Sequence, residues 1–479
     1  MAIRVFNTLS REIEEFVPAR QGFAGMYLCG PTVYGEAHLG NARTAVAFDV
    51  ARRWLVYRGL QVRFVSNVTD VGHITDGGLD EGRDRIGERA ARERVEPMEI
   101  ADRFFWKYFD EMAKLNVLRP DIAPRASGHI VEQIALVEEL LGRGLAYEAE
   151  GSVYFRVAAW PGYGSLSRQA IDDLSVGTRA LVAGQKHDRR DFALWKRAEP
   201  GHVQRWTSPW GEGFPGWHLE CSAMALKYLG EGFDIHAGGL DLAFPHHEAE
   251  IAQAEGAGRR FARYWLHGNM LTVNGEKMSR SKGNFTTLAA FFAEHDPMLL
   301  RFLFVQSHYR SLAEISADTL AAARAGLERL RTTRRALADR IVAAPPGRDE
   351  GFDARTVAAR AAFDDAMDDD FDTPRALASL FTYARELNGA LAAPRDSLEP
   401  AARLFDDVGE GILGLFPEGA TDVRAPDRLG AVMALLIDAR AGYRKSRDFE
   451  RADALRRGLA AAGIEIEDGR DGTSWRVRP

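Results

Sequence analysis

Two cysteines are spread over 479 residues, Cys29 and Cys221. Cys221 lies in the stretch GWHLECSAMALKYLGEGFDIHAGGLDLAFPHHEAE (216–250), which ends in His246 and Glu250, four apart. A helix starting after Pro245 would carry both on one face, because residues four apart are neighbours on a helix surface. Two soft thiolates, an imidazole and a carboxylate suit a tetrahedral zinc ion. The same two cysteines could instead form one disulfide or simply be buried. They cannot build a disulfide framework, and a reducing cytosol favours metal binding or burial.

The elements that must carry Cys29 to this stretch begin with GMYLC (25–29), which reads as a short buried strand. A turn at Gly30-Pro31-Thr32 follows. EAHLGNARTAVAFDVARRWLVYRG then has helical periodicity, and QVRFVSNVTD reads as a second strand. Strand, turn, helix and strand make a βαβ unit, which implies a parallel sheet. Ligands bind such sheets beyond the carboxyl ends of the strands. Cys29, His38, Thr69 and Asp70 all fall at that edge.

Two further stretches carry chemistry. PTVYGEAHLGNAR sets His38 and Asn41 around Leu39-Gly40 at a helix start, where free N–H groups and the helix dipole attract phosphate. Read alone, such a histidine is a cap or a surface residue. KMSRSKGN interleaves Lys277, Arg280 and Lys282 with Ser279 and Ser281. A flexible loop of that composition suits the charge on a transferring pyrophosphate. Read alone, it is an exposed basic loop.

The remaining chain is ordinary for a soluble protein of more than one domain, with 46% apolar and 27% charged residues. The N-terminus is charged too early for a signal peptide, and no apolar run is long enough to span a bilayer, so the expected location is the cytoplasm. A net charge of -7 argues against a coat of basic charge for nonspecific nucleic-acid binding. It leaves room for local basic patches on a folded RNA. Residues 77–96 read as a solvated face, AYEAEGSVYFRVAAW as a hairpin, and 162–197 as irregular. Asn274-Gly275 is a tight-turn signal. Helical patterns dominate from Thr287, and the last sixty or so residues read as two helices and a strand pair.

Taken together, CGPTVYGEAHLG, PGWHLECSAM, FDIHAGGLDLAFPHHEAEIAQ, KMSRSKGN, MDDDFDTPRALA (367–378) and the terminal GIEIEDGRDGTSW resemble the cysteinyl-tRNA synthetase family of class I aminoacyl-tRNA synthetases. The resemblance runs the length of the chain. It implies an α/β Rossmann-like parallel-sheet catalytic domain with an inserted connective segment, an α-helical bundle and a small α+β C-terminal module. The corresponding ranges are 1–318 (insertion 118–210, stem-contact region 285–318), 319–415 and 420–479. The implied reaction is ATP-dependent ligation of L-cysteine to tRNA(Cys) through a cysteinyl-adenylate, by a monomer using one zinc ion, with Mg²⁺ accompanying ATP.

Residue by residue, the resemblance implies Cys29, Cys221, His246 and Glu250 as zinc ligands. It implies Pro31, Thr32, His38, Gly40, Asn41, Gly238, Gly239, Asp241, Lys277, Ser279, Arg280 and Ser281 around ATP. Cys29, Thr69, Trp217 and His236 would line the cysteine pocket. Arg444, Lys445, Arg447, Trp475 and Arg476 would meet tRNA, aromatic stacking with arginine contacts being a common way to hold unpaired bases. Three departures stand out. Asn41 replaces a histidine of the first signature and cannot carry charge. Arg280 replaces a lysine and offers a planar fork in place of a point charge. VGHITD after Asp70 departs from the family's usual run and adds His73, a polar group near the site or a surface residue. Two rival readings are a cysteine-activating ligase with an amino-sugar acceptor, and a catalytically silent zinc and tRNA-binding relative.

Overall fold

The computed structural model describes residues 2–71, 84–168, 186–278, 284–417, 425–469 and 472–477. The chain divides into two compact units, Met1–Phe416 and Pro417–Pro479.

The first unit is built on a parallel sheet of four strands, Phe23–Leu28, Gln61–Ser66, Ile235–Gly239 and Tyr264–Gly268. Their spatial order is fourth, third, first, second. The order therefore reverses between Phe23–Leu28 and Ile235–Gly239. At such a reversal the connections leave to opposite faces, and a crevice opens beyond the strand ends. Leu28 and Ala237 are register partners there, so Cys29 leaves one side of the crevice and Gly238-Gly239 the other. The helix Leu39–Tyr57 links the first two strands and buries Leu39, Ala42, Val46, Val50, Trp54 and Leu55 against the core. That is the expected βαβ unit.

Between the second and third strands sits a separate antiparallel sheet of five strands, its strands lying between Ala146 and Pro215. The expected hairpin is there, as Ala146–Ala149 paired with Ser152–Phe155. Phe192–Arg197 was expected to be irregular and is a strand. Phe192, Ala193, Leu194 and Trp195 are all buried, so the alternation that marks a one-sided strand is missing. Part of the range expected to be a solvated face is the helix Arg85–Glu93, which buries Ile86 and Ala90.

Helices from Ala317 to Leu404 follow the sheet, and one apolar core runs from Val5 through Trp54 and Phe302 to Phe416. The segment MDDDFDTP pins the N-terminal strand to these helices. The Asp370 carboxylate accepts from Phe6 N (2.8 Å), Tyr309 Oη (2.7 Å) and Arg310 Nε (2.6 Å).

The second unit has the helices Ala425–Lys445 and Phe449–Ala461 and the hairpin Ile464–Gly469/Gly472–Val477. Its small core is Met433, Leu459 and Ile466.

Candidate active site

Cys29 follows the first strand directly, and its N–H donates to Ala237 O at 3.1 Å, which fixes the thiol at the crevice. Cys221 sits one turn into the helix Trp217–Leu229. Glu250 is in the helix Glu248–Gly256, and His246 is in the turn Ala243–His247 that leads into it. The spacing works as the sequence suggested, with His246 Nε2 3.2 Å from Glu250 Oε1. Cys29 Sγ lies 3.7 Å from Cys221 Sγ and 3.6 Å from Glu250 Oε1.

These separations can be tested against zinc. With Zn–S of about 2.3 Å and Zn–N or Zn–O of about 2.0–2.1 Å, a tetrahedron has edges of about 3.8 Å between sulfurs, 3.5 Å from sulfur to oxygen and 3.4 Å from nitrogen to oxygen. The three observed edges match within a few tenths of an ångström. The ligand atoms of all four residues lie within 4.8 Å of one another. Both cysteines are free thiols.

Three of the four, Glu250, Cys29 and His246, have a buried neighbour that orients them. His236 Nε2 meets Glu250 Oε2 at 2.8 Å, leaving Oε1 toward the cysteines. His247 Nε2 is 3.2 Å from Cys29 Sγ, and its Nδ1 is 2.8 Å from His267 Nε2. His267 Nδ1 in turn meets Thr8 Oγ1 at 2.8 Å. His218 and His246 share an Nδ1–Nδ1 contact of 3.0 Å. Such partners fix ring orientation and ligand basicity. Burial pushes the Cys29 and Cys221 thiols up, well above the usual value for Cys29. It also raises the Glu250 carboxyl well above its range. His236 is pulled down to about 3 by burial, and His247 well below its ordinary value by burial and then by its histidine neighbours. Burial thus favours the neutral forms of Cys29, Cys221, Glu250, His236 and His247. A divalent cation reverses that preference, because thiolates and a carboxylate become worth burying beside it.

The cluster opens on a cleft of ≈ 340 Å³ lined by Cys29, Trp217, Asp241 and Lys277 among others. Pro31, Thr32, His38, Gly40, Asn41 and Gly239 also face it. Thr69, His236 and Gly238 lie behind the lining. Thr69 Oγ1 donates to Glu220 at 2.7 Å, and a Cβ on Gly238 would stand 2.7 Å from His247 Cε1. The Trp217 ring lies against that of His246, tilted by 35° with ring centroids 4.5 Å apart. His38 proves to be a cap as well as a cleft residue. Its Nδ1 accepts from Gly40 N at 3.1 Å, while Asn41 Oδ1 accepts from His38 N at 3.1 Å. Since Nδ1 is an acceptor, the neutral ring carries its proton on Nε2. Asn41 thus has a structural use that a charged imidazolium, with no acceptor, could not fill. Lys277 is placed by the hairpin turn Asn274-Gly275, both in the left-handed region. His73, Ser279, Arg280 and Ser281 lie outside the described residues.

Gly30 shows how tightly the crevice is made. Its N–H donates to Asn67 Oδ1 at 2.8 Å, and a Cβ there would overlap the Asn67 carbonyl oxygen. Gly30→Ala should therefore destabilise the protein by about 3 kcal/mol or more, since packed backbone must shift. The melting temperature measures this, with Gly35→Ala as control, where the nearest atom is 4.0 Å away.

Sequence reasoning missed His218, His247 and His267. His247 was visible in principle, three residues before Glu250 in PHHE, but its partner His267 is set by the sheet register. In the second unit, Arg440 and Arg444 both hold Asp468, at 2.8 and 2.7 Å. Trp475 was expected to stack on bases. It is half-buried and packs on the core of Met433, Leu459 and Ile466, opposite Ile466 in the hairpin. Lys445 and Arg447 are exposed, and Arg447 has a φ of 59°. Arg476 pairs through its backbone with Glu465.

Residues 15–325 match the tRNA synthetases class I (C) catalytic domain, and residues 362–417 match the DALR domain. The chain is 55% identical over 481 residues to a cysteine–tRNA ligase of Deinococcus radiodurans, covering 99% of this chain and 96% of that one. It is 51% identical to a cysteine–tRNA ligase of Thermus thermophilus, with both chains fully covered. Among solved structures, Mycobacterium tuberculosis methionyl-tRNA synthetase in complex with methionyl-adenylate has a TM-score of 0.59 at 16% identity, over 82% of this chain and 89% of that one, a likeness of fold alone. Parallel sheet, thiol pair and relatives agree, and the chain belongs to the cysteine–tRNA ligases, a family of class I aminoacyl-tRNA synthetases.

Proposed function

We infer that this chain joins L-cysteine to tRNA(Cys) at the crevice described above, using ATP. The observation that carries the reading is the quartet Cys29, Cys221, His246 and Glu250, whose edges suit a zinc ion, opening on a cleft headed by the helix at Leu39. Zinc held there would supply a soft Lewis acid for the substrate thiolate, which serine and alanine lack. A pocket of fixed size separates near-isosteres poorly, so coordination is the better discriminator.

The chain's own groups do the rest. The cysteine carboxylate attacks the α-phosphorus of ATP in line, pyrophosphate leaves, and cysteinyl-adenylate forms. No protein nucleophile is needed, so catalysis is positioning and charge stabilisation. The N-terminus of Leu39–Tyr57 and the proton on His38 Nε2 face the phosphates, with Gly40 and Asn41 beside them. Lys277, Ser279, Arg280 and Ser281 hold the departing pyrophosphate, whose Mg²⁺ travels with ATP. Pro31, Thr32, Gly238, Gly239 and Asp241 bound the nucleotide. Thr69, Trp217 and His236 frame the amino acid. The terminal ribose hydroxyl of tRNA then attacks the adenylate carbonyl and AMP leaves. Cysteine-dependent ATP–pyrophosphate exchange together with cysteinylation of tRNA tests this. Exchange without tRNA charging would point to the amino-sugar acceptor, and neither activity would point to a silent relative.

Catalysis belongs to 1–318, which carries the insertion 118–210 and, at 285–318, the segment that meets the acceptor stem. Residues 319–415 are a helical bundle, and 420–479 reads the anticodon through Arg444, Lys445, Arg447, Trp475 and Arg476. The enzyme works as a cytoplasmic monomer, which sedimentation of the purified protein tests. Truncation after Phe416 should spare cysteinyl-adenylate formation, because every residue of the crevice is retained. It should lower kcat/KM for tRNA charging at least about 100-fold, equal to about 2.7 kcal/mol. Normal charging by the truncated chain would remove the anticodon role.

A further inference from the structure

The quartet is not the only ligand set in the crevice. Cys29, His236, His247 and Glu250 also place one ligand atom each within 4.8 Å of the others, all but Cys29 fully buried. Cys29 Sγ is 3.2 Å from His247 Nε2 and 3.6 Å from Glu250 Oε1, and His247 Nε2 is 4.0 Å from that oxygen. His236 Nε2 is 2.8 Å from Glu250 Oε2. One sulfur, two imidazoles and a carboxylate are an acceptable donor set for zinc, with tetrahedral edges of about 3.4–3.5 Å.

We propose that this chain has a second zinc position, held by Cys29, His236, His247 and Glu250, to which the ion withdraws when Cys221 is lost as a ligand. The two sets share Cys29 and Glu250, and they hold one ion in alternative places. The histidines are already built for the task. His236 lies in the strand Ile235–Gly239, stacked on Trp265 with ring centroids 4.4 Å apart. His247 Nδ1 can donate to His267 Nε2, and His267 Nδ1 to Thr8 Oγ1, over the same two 2.8 Å contacts. Running the chain of hydrogen bonds in that sense frees the His247 Nε2 lone pair for a metal with no net change in protons. A ligating histidine whose other nitrogen donates to a fixed partner is the usual arrangement.

The two positions differ in their donors. His236 and His247 take the place of Cys221 and His246, so an ion in the second position is held by one thiolate, one carboxylate and two imidazoles. His246, whose ring lies against that of the cleft residue Trp217, is then no longer a ligand.

This rests on the zinc reading above, and the test separates the two. Zinc is measured in wild type, Cys221→Ser, His247→Gln and the Cys221→Ser/His247→Gln double variant, each with circular dichroism to check the fold. Wild type, Cys221→Ser and His247→Gln should all keep stoichiometric zinc, and the double variant should lose it. In the cobalt-substituted proteins, the near-ultraviolet sulfur-to-cobalt band of Cys221→Ser should fall to about half that of wild type, one thiolate replacing two. A folded Cys221→Ser protein without zinc would overturn the second position alone. A folded double variant that keeps zinc would do the same. Wild type without zinc would remove both readings.

Discussion

Cys221→Ser should lower kcat/KM for cysteine in ATP–pyrophosphate exchange by on the order of 10³, about 4 kcal/mol, the scale of a lost metal contact to a reacting group. The 3.7 Å separation of Cys29 and Cys221 matches the sulfur–sulfur edge of a zinc tetrahedron, and serine cannot supply that thiolate. With the ion displaced from the quartet, only shape remains to tell cysteine from serine. Shape alone is worth about 1–3 kcal/mol, or roughly 10–200-fold. The preference for cysteine over serine should shrink into that range. The fall should be in kcat/KM for cysteine, with the KM for ATP little changed, because the nucleotide side of the cleft is untouched. A variant that kept wild-type preference would sever selection from this cluster. So would a variant that lost exchange through a raised KM for ATP.

The grouping of Cys29, Cys221, His246 and Glu250 was legible because its signal is local and scarce. Two cysteines in the whole chain, and a histidine four residues before a glutamate, leave few ways to be wrong. The βαβ unit was legible for a similar reason, since strand, turn and helix are contiguous from Gly25 to Ser66. The histidine layer was not. His236 and His267 lie in neighbouring strands whose pairing, His236 with Trp265 and Gly238 with His267, is fixed only once the sheet is assembled. Nothing in the sequence announces that register, because buried parallel strands read as apolar runs without alternation. The strand Phe192–Arg197, in the antiparallel sheet, was missed because Phe192 to Trp195 are all buried and show no alternation. In the second unit Trp475 packs on the core of Met433, Leu459 and Ile466, a placement that its sequence neighbours Arg476 and Arg478 do not announce.

Arg301→Ala should destabilise the first unit by about 3–5 kcal/mol, from buried carbonyls left unpaired and a cavity opened in a packed core. Arg301 is wholly buried in the helix Pro297–Val305, in the middle of an apolar core. A guanidinium belongs there only because its donors are used. Nε donates to Leu413 O at 2.7 Å, Nη1 to Leu115 O and Asn116 O at 2.9 and 3.0 Å, and Nη2 to Asp49 Oδ2 at 2.6 Å. One side chain thereby joins the helix of the first βαβ unit, the chain after the Pro97–Lys114 helix, and the end of the helical region. Asp49 keeps a second partner, Arg53 Nε at 2.8 Å, so the carboxylate is not stranded. The carbonyl of Leu413 is, and an unpaired buried acceptor costs about 1–3 kcal/mol by itself. Lysine should not rescue, because an ammonium cannot reach acceptors spread around a planar fork. The urea midpoint of the full chain, followed by circular dichroism, should fall for both Arg301→Ala and Arg301→Lys. Recovery by lysine would mean that charge matters here and the fork does not. An unchanged midpoint in alanine would mean that the helices are held by apolar packing alone.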